Sequence, residues 1–205
     1  MRLKEECREE IVINKSRFIA CACPCSNEEE ARAYIEVIRK EFPDATHVCT
    51  AYICGENGLI QRSNDNKEPS GTAGMPMLEA IKHSGLQDVC CCVVRYFGGI
   101  KLGAGGLIRA YSGAVTQVLT TAEKVEEIKV KQYEVTYPYD LSGVMENWLR
   151  RYTDIVDTQY SDQVTVTFET DLEQVEEQIN NLTRGQIKPH YKQDVMRLKD
   201  VNSLE

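Results

Sequence analysis

The sequence predicts an α+β protein of two domains, 1–128 and 129–205, and three observations carry that prediction. A continuous apolar run, Val89-Cys90-Cys91-Cys92-Val93-Val94, leads through a glycine-rich stretch into an amphipathic pattern. That succession reads as a central strand covered on both faces, then a loop, then a helix. Composition changes near residue 125: all nine cysteines lie between Cys7 and Cys92. Charge divides there too, since residues 1–124 hold 15 basic and 16 acidic side chains and residues 125–205 hold 9 and 16. Beyond that point the strand and helix patterns run β-α-β-β-α-β, the order of a ferredoxin-like split βαβ domain. The boundary is expected within residues 125–132.

In the first half, Ile11 to Pro24 alternates loosely and predicts one or two strands around Lys15-Ser16-Arg17. Ser26-x-x-Glu29 has the form of a capping box, and Ala31, Tyr34, Ile35 and Ile38 follow at helical spacing until Pro43-Asp44. Thr46 to Cys54 and Leu59 to Arg62 are expected to pair as a hairpin across Gly55-Glu56-Asn57-Gly58, because Asn-Gly tolerates the positive φ of a tight turn. A polar loop runs from Arg62 to Met75. Met77, Leu78 and Ile81 then form the apolar side of a helix that Gly85 stops, with Ser70 or Thr72 as its expected cap. In the last helix of this half, Leu107, Ala110, Tyr111, Ala114 and Val118 share one stripe, which turns Arg109, Ser112 and Thr116 outward.

In the second half, Tyr133 to Tyr137 predicts a strand, and Pro138-Tyr139-Asp140 opens a helix with Leu141, Val144, Met145, Trp148 and Leu149 on one side. Ile155 to Tyr160 and Val164 to Phe168 are two further strands. Asp171 is the expected cap of a helix carrying Leu172, Val175, Ile179 and Leu182, with Gly185 at its end. Lys188 to Leu198 is the last strand, which Pro189 places at an edge.

A content of 42% hydrophobic and 27% charged residues is that of a soluble globular chain. No apolar run reaches the roughly 18 residues of a membrane-spanning helix. The charged start Met1-Arg2-Leu3-Lys4-Glu5-Glu6 leads into no secretory apolar segment, so a cytoplasmic protein without a membrane partner is expected. The net charge of −8 argues against broad affinity for nucleic acid and confines any such contact to a local patch. An odd number of cysteines, three of them consecutive, makes no disulfide framework; reduced thiols acting as small buried hydrophobes are expected instead. Cys21, Cys23 and Cys25 would share one strand face, but Cys-x-Cys-x-Cys lacks the Cys-x-x-Cys spacing of zinc sites, so no metal is expected.

The stretch Arg95 to Ser112 carries most of the functional signal. Gly98, Gly99, Gly103, Gly105 and Gly106 leave backbone amides uncovered at a helix start, a geometry suited to anions, although the same glycines would also serve a plain tight turn. With the loop before Met75, the residues expected to meet phosphate or nucleic acid are Arg62, Ser70, Gly71, Thr72, Arg95, Gly98, Gly99, Lys101, Gly105, Gly106 and Arg109. Both loops are expected to line one cleft. His47 reads first as structural. Glu68 would repel phosphate and reads as orienting a cation or capping an amide. Tyr96, Phe97 and Tyr111 offer rings for an unpaired base, but Tyr111 lies on the apolar stripe and belongs first to the core.

Three segments together resemble the YigZ/IMPACT family: Asp44-Ala45-Thr46-His47, Glu68-Pro69-Ser70-Gly71-Thr72-Ala73-Gly74-Met75-Pro76, and Arg95 to Ser112. They span roughly half the chain. One departure is that Asn64-Asp65-Asn66-Lys67 precedes Glu68 where the family usually has two acidic residues, which weakens any role for an acidic pair. The resemblance implies an N-terminal domain with the fold of a small-subunit ribosomal protein's second domain and of domain IV of elongation factor G. It implies a C-terminal domain similar to domain V of that factor, which is ferredoxin-like. It also implies a link to translational control, with RNA, the ribosome or a translation-related protein as partner.

Three functions are therefore in contention. The first is a translation-associated regulatory protein binding RNA or the ribosome through a glycine-rich cationic cleft. The second is an enzyme acting on a phosphorylated small molecule, since sugar and mevalonate-type kinases share this domain family and hold phosphates on such a loop. Against it, there is no Walker lysine motif and no nucleophile matched to a base, so no cofactor is expected. The third is an interaction adaptor without catalysis whose acidic second domain docks a basic partner. The sequence assigns no oligomeric state.

Overall fold

The computed structural model describes residues 1–201, which form two compact units: Met1–Glu126 joined by Asp200 and Val201, and Glu127–Lys199. The return of the chain end to the first unit departs from a division at 128/129. Its cause is local bonding, since Val201 N donates to the Lys124 carbonyl at 2.9 Å and Asp200 pairs with Lys4 at 3.1 Å.

In the first unit, β1 (Arg2–Leu3) pairs with the opening residues of β7 (Lys124–Tyr137). β2 (Cys7–Ile13) and β3 (Ser16–Pro24) form a hairpin whose two turn residues, Asn14 and Lys15, have φ of 46° and 64°. Positive φ at both positions matches the right-handed twist of the paired strands. β4 (His47–Cys54), β5 (Ile60–Asn64) and β6 (Val89–Tyr96) complete an antiparallel sheet in the order β2-β3-β6-β4-β5. β6 is thus central, and both of its faces are covered. α1 (Glu28–Glu41) lies on one face; α2 (Gly74–Ser84) and α3 (Gly103–Thr121) lie on the other.

Strand alternation sorts the residues between the two faces. Val89, Cys91 and Val93 pack under α2 and α3, while Cys90, Cys92, Val94 and Tyr96 pack under α1. All nine cysteines are free, and all but Cys7 and Cys23 are buried. The cap of α1 falls one residue later than expected. Asn27 Oδ1 accepts from Glu30 N at 2.9 Å, and the Glu30 carboxylate accepts from Ser26 N at 2.7 Å, so the reciprocal box is Asn27 with Glu30.

The second unit contains β7 from residue 127, α4 (Ser142–Tyr152), β8 (Asp154–Tyr160), β9 (Val164–Thr170), α5 (Val175–Leu182) and β10 (His190–Asp200). The strand order β10-β7-β9-β8 is the ferredoxin-like one. Tyr133, Val135, Trp148, Leu149, Phe168 and Ile179 are at the heart of its core. Two expectations fail here. β7 begins at Lys124 rather than Tyr133, because the charges at Lys124, Glu126, Glu127, Lys129 and Lys131 hide a strand that backbone pairing nevertheless builds. Asp171 caps nothing: its carboxylate bonds Lys199 at 2.8 Å, and α5 starts four residues later behind Gln174 in the left-handed region (φ 56°).

Candidate functional site

The candidate site lies at the α2/α3 face of the first unit and is built around one buried carboxylate. Phe18, Arg95 and His47 sit in register across β3, β6 and β4, so their side chains share that face. The loop after β5 folds back over this row and delivers Glu68. Glu68 Oε1 accepts from Arg95 Nη1 at 2.6 Å and from Tyr111 OH at 2.7 Å, and His47 Nε2 stands 3.7 Å away. His47 Nδ1 donates to the Asn66 carbonyl at 2.8 Å, which holds the ring in place. Phe18 packs edge-on against Tyr111 with ring centroids 5.3 Å apart and also lies against the Arg95 guanidinium. Burial pushes the Tyr111 phenol well above its ordinary range, so it stays a proton donor to Glu68.

The same loop supplies the start of α2. Asp65 accepts from Gly71 N at 2.8 Å, Ala73 N at 3.0 Å and Gly74 N at 2.7 Å. Burial works to raise its pKa, but these three amides prevail and hold the carboxyl below the usual range. The expected hydroxyl caps are therefore corrected: α2 has no Ser or Thr cap, Thr72 Oγ1 donates to the Pro69 carbonyl at 2.6 Å, and Ser70 is exposed. The anion seat that the glycines and helix start predicted is filled by a side chain of this protein. Gly74 is required for another reason, since a Cβ there would come within 2.7 Å of Asn64 N.

The second glycine-bearing loop differs. α3 begins at Gly103 behind Leu102 with no side-chain cap, so Gly105 and Gly106 belong to the first helical turn and not to the loop. Gly98 lies against the β2–β3 turn: an added Cβ would fall 2.0 Å from the Lys15 carbonyl carbon, and its N–H donates to Ser16 Oγ at 3.2 Å. Gly99 adopts φ 84°. Lys101 and Arg109 are exposed and have no ion pair among the described residues. Arg109 Nη1 lies 3.7 Å from where a Cβ on Gly105 would sit, so the guanidinium reaches back towards the helix start.

Between these segments lies a pocket of about 360 Å³ whose lining includes Glu68, Pro69, Arg95, Phe97, Lys101, Leu102 and Leu107. Both glycine-bearing loops contribute to it. Arg95, expected as a phosphate contact, is a buried partner of Glu68 instead, 5% exposed, with its Nε unbonded. Arg62 and Tyr96 are on the other face. Arg62 stands across from Tyr52 beside Arg32 and Arg39, and Tyr96 packs under α1 with Arg17 stacked on its ring. Alternation decides both, because a strand residue reaches only one side of its sheet. Two exposed lysines that the sequence reading passed over, Lys15 in the turn touching Gly98 and Lys67 beside Glu68, also lack ion pairs among the described residues. The positive φ of both, 64° and 68°, marks them as turn residues, a signal that their side chains alone do not give.

The fold and site define a two-domain α+β protein whose N-terminal sheet carries a Glu68-centred polar cluster beneath two glycine-bearing helix starts. Residues 14–119 match the Impact N-terminal domain, and residues 135–186 match a domain of unknown function, DUF1949. The chain belongs to the YigZ/IMPACT family. It is 46% identical over 189 residues to the IMPACT family member YvyE of Bacillus subtilis, covering 89% of this chain and 86% of that one. It is 40% identical over 135 residues to the family member YigZ of Escherichia coli, covering 64% and 66%. A solved crystal structure described as a hypothetical protein aligns with TM-score 0.59 and 29% identity over 94% of this chain and 96% of its own.

Proposed function

We propose that this protein is a translation-associated regulatory protein that binds RNA, free or within the ribosome, at the open start of α3. The observation that carries the reading is the pair of unpaired cations there. Lys101 and Arg109, with no ion pair among the described residues, flank a helix start whose amides have no side-chain cap. Exposed Phe97 and Ile100 border the same opening and suit an unstacked base, while the amides and cations suit its phosphate. Family membership supports the link to translation. The enzyme reading has weaker support, because the buried carboxylate beside the pocket is already engaged by Arg95 and Tyr111.

The test is binding of single-stranded RNA across a salt series by the wild type and by Lys101→Ala/Arg109→Ala. Loss of two phosphate contacts lowers the slope of log affinity against log salt by about 1.4, at roughly 0.7 per contact on a single strand. Arg62→Ala, on the opposite face, is expected to leave both slope and affinity unchanged. A folded double variant that retains the wild-type slope would refute the reading.

A further inference from the structure

We infer that the free edge of the second unit's sheet, strand β8 beside α4, docks an extended segment of a basic partner protein, which adds to the sheet as a further strand with apolar and basic residues in alternation. β8 ends the strand order on one side and pairs with β9 alone among the described residues. Its outer backbone N–H and C=O groups have no strand partner, and such an edge is a template for strand addition. Every β8 residue except Thr158 is exposed.

The register determines what each face of an added strand would meet. Ile155, Thr158 and Tyr160 stand opposite Phe168, Val166 and Val164 of β9, all three in the core, so they point to the face that the helices cover. Asp157 and Gln159 stand opposite Thr167 and Thr165 and point to the other face. The helix side of this edge is strongly apolar for a solvated strand. Tyr160 is 67% exposed, and Ile155 is exposed as well. α4 packs beside β8, and its exposed Val144 and Tyr152 lie one helical step of four on either side of Trp148. The Trp148 ring meets Phe168, the residue across from Ile155, edge-on at 6.2 Å. Tyr139 OH donates to the Ser161 carbonyl at 2.8 Å, which sets another exposed ring beside the turn that follows β8. Exposed apolar side chains gathered in this way mark an interaction surface.

Charge selects the occupant. β8 carries two aspartates and no cation. Asp157 has no ion pair among the described residues and accepts a hydrogen bond from Gln159 Nε2 at 3.0 Å. The opposite edge differs, because β10 ties its cations to its own sheet: Lys192 pairs with Glu134 at 3.1 Å and Arg197 Nη2 with Glu169 at 2.9 Å. A second copy of β8 would bring only like charge to the edge. A strand with lysine or arginine on the Asp157 side supplies the opposite charge, and its alternate apolar residues cover Thr158 and Tyr160. The bulge between Ile155 and Asp157 bends the start of β8, so regular pairing is expected over Asp157 to Tyr160. This surface is in a different unit from the α3 opening and does not depend on RNA binding there.

The experiment titrates the intact chain with an end-capped nonapeptide that alternates lysine and valine, and follows amide hydrogen exchange by nuclear magnetic resonance. Exchange along β8 is expected to slow at least about tenfold at saturation, while β10 is unchanged. Asp157→Lys is expected to weaken the peptide roughly five- to tenfold. Glu177→Lys, exposed on α5 and equal in its change of net charge, is expected to leave the affinity unchanged. The inference is overturned by an absence of binding, by binding that leaves β8 exchange unaltered, or by equal affinity for a peptide of the same composition with its lysines and valines in separate blocks. A wild type already dimeric through β8 would overturn it too, since the occupant would then be a second copy.

Discussion

The starts of α2 and α3 are made from similar sequence and behave oppositely. Both follow glycine-bearing loops on the same face of one sheet, and both leave the unpaired amides that any helix start has. At α2 the loop is long enough to fold back, and Asp65 takes the first helical amide, Gly74, with those of the N-cap Ala73 and of Gly71 in the loop before it. At α3 the short Gly98–Leu102 link carries no carboxylate, and the helix start has no side-chain cap. A helix start is thus either a structural joint or an anion seat according to whether the chain supplies the negative charge itself. Glu68 belongs to the first regime: it neutralises Arg95, which would otherwise have joined the cations at the pocket.

This contrast can be broken in four ways. The largest effect is expected at the hub. Glu68→Ala leaves the Arg95 charge buried without its partner and should cost about 3–5 kcal/mol in chemical denaturation, while Glu68→Leu/Arg95→Met should recover most of that loss. If the double change is as damaging as the single, the ion pair is not what the hub contributes.

Asp65→Ala is next, at about 2–3 kcal/mol, because it leaves three amides in and just before the first turn of α2 unsatisfied, two of them on buried residues. The pH dependence has a definite sign. The carboxyl is held low in the folded state, so its contribution is fully present above its unfolded value of about 4 and disappears as pH falls through the folded value. The gap between wild type and Asp65→Asn in thermal unfolding should therefore be wide at neutral pH and close below about pH 4. A gap independent of pH would sink the carboxylate cap.

Lys101→Ala/Arg109→Ala should leave stability within about 0.5 kcal/mol of wild type, since both side chains are exposed and unpaired, while changing RNA affinity and its salt slope. Asp65 and Glu68 variants report on folding and this pair reports on binding, so calorimetry and RNA titration together separate the two helix starts. The smallest effect tests whether one can be turned into the other. Ala104→Glu puts a carboxylate into the exposed first turn of α3, which should stabilise the protein by about 0.5 kcal/mol through the helix dipole and weaken RNA binding. Unchanged RNA affinity would mean that the α3 start is not the anion seat.

The two-unit organisation was legible because periodicity and composition report burial directly: the Val89–Val94 run marks a strand covered on both sides, and the Leu107–Val118 stripe marks a helix packed on one. The Leu107–Val118 stripe gave Tyr111 to the core. The roles within those segments were less legible. Arg62, Arg95 and Lys101 look alike as cations in or beside a loop. Which face a strand side chain takes depends on registers such as His47↔Arg95 and Tyr52↔Arg62, which no local pattern encodes.

By itself, the sequence determined most of the elements, the central place of β6, the ferredoxin-like order of the second unit and the outward face of Arg109, because each depends on spacing along a few residues. Only the tertiary structure decided that Asp65 fills the α2 start, that Glu68 joins Arg95 and Tyr111 across 27 and 43 residues of chain, and that Arg62 and Tyr96 turn away from the pocket. The physical reason is that a charge is free or spent according to which distant partner the fold brings within hydrogen-bond reach, and that distance is set by the packing of the whole sheet.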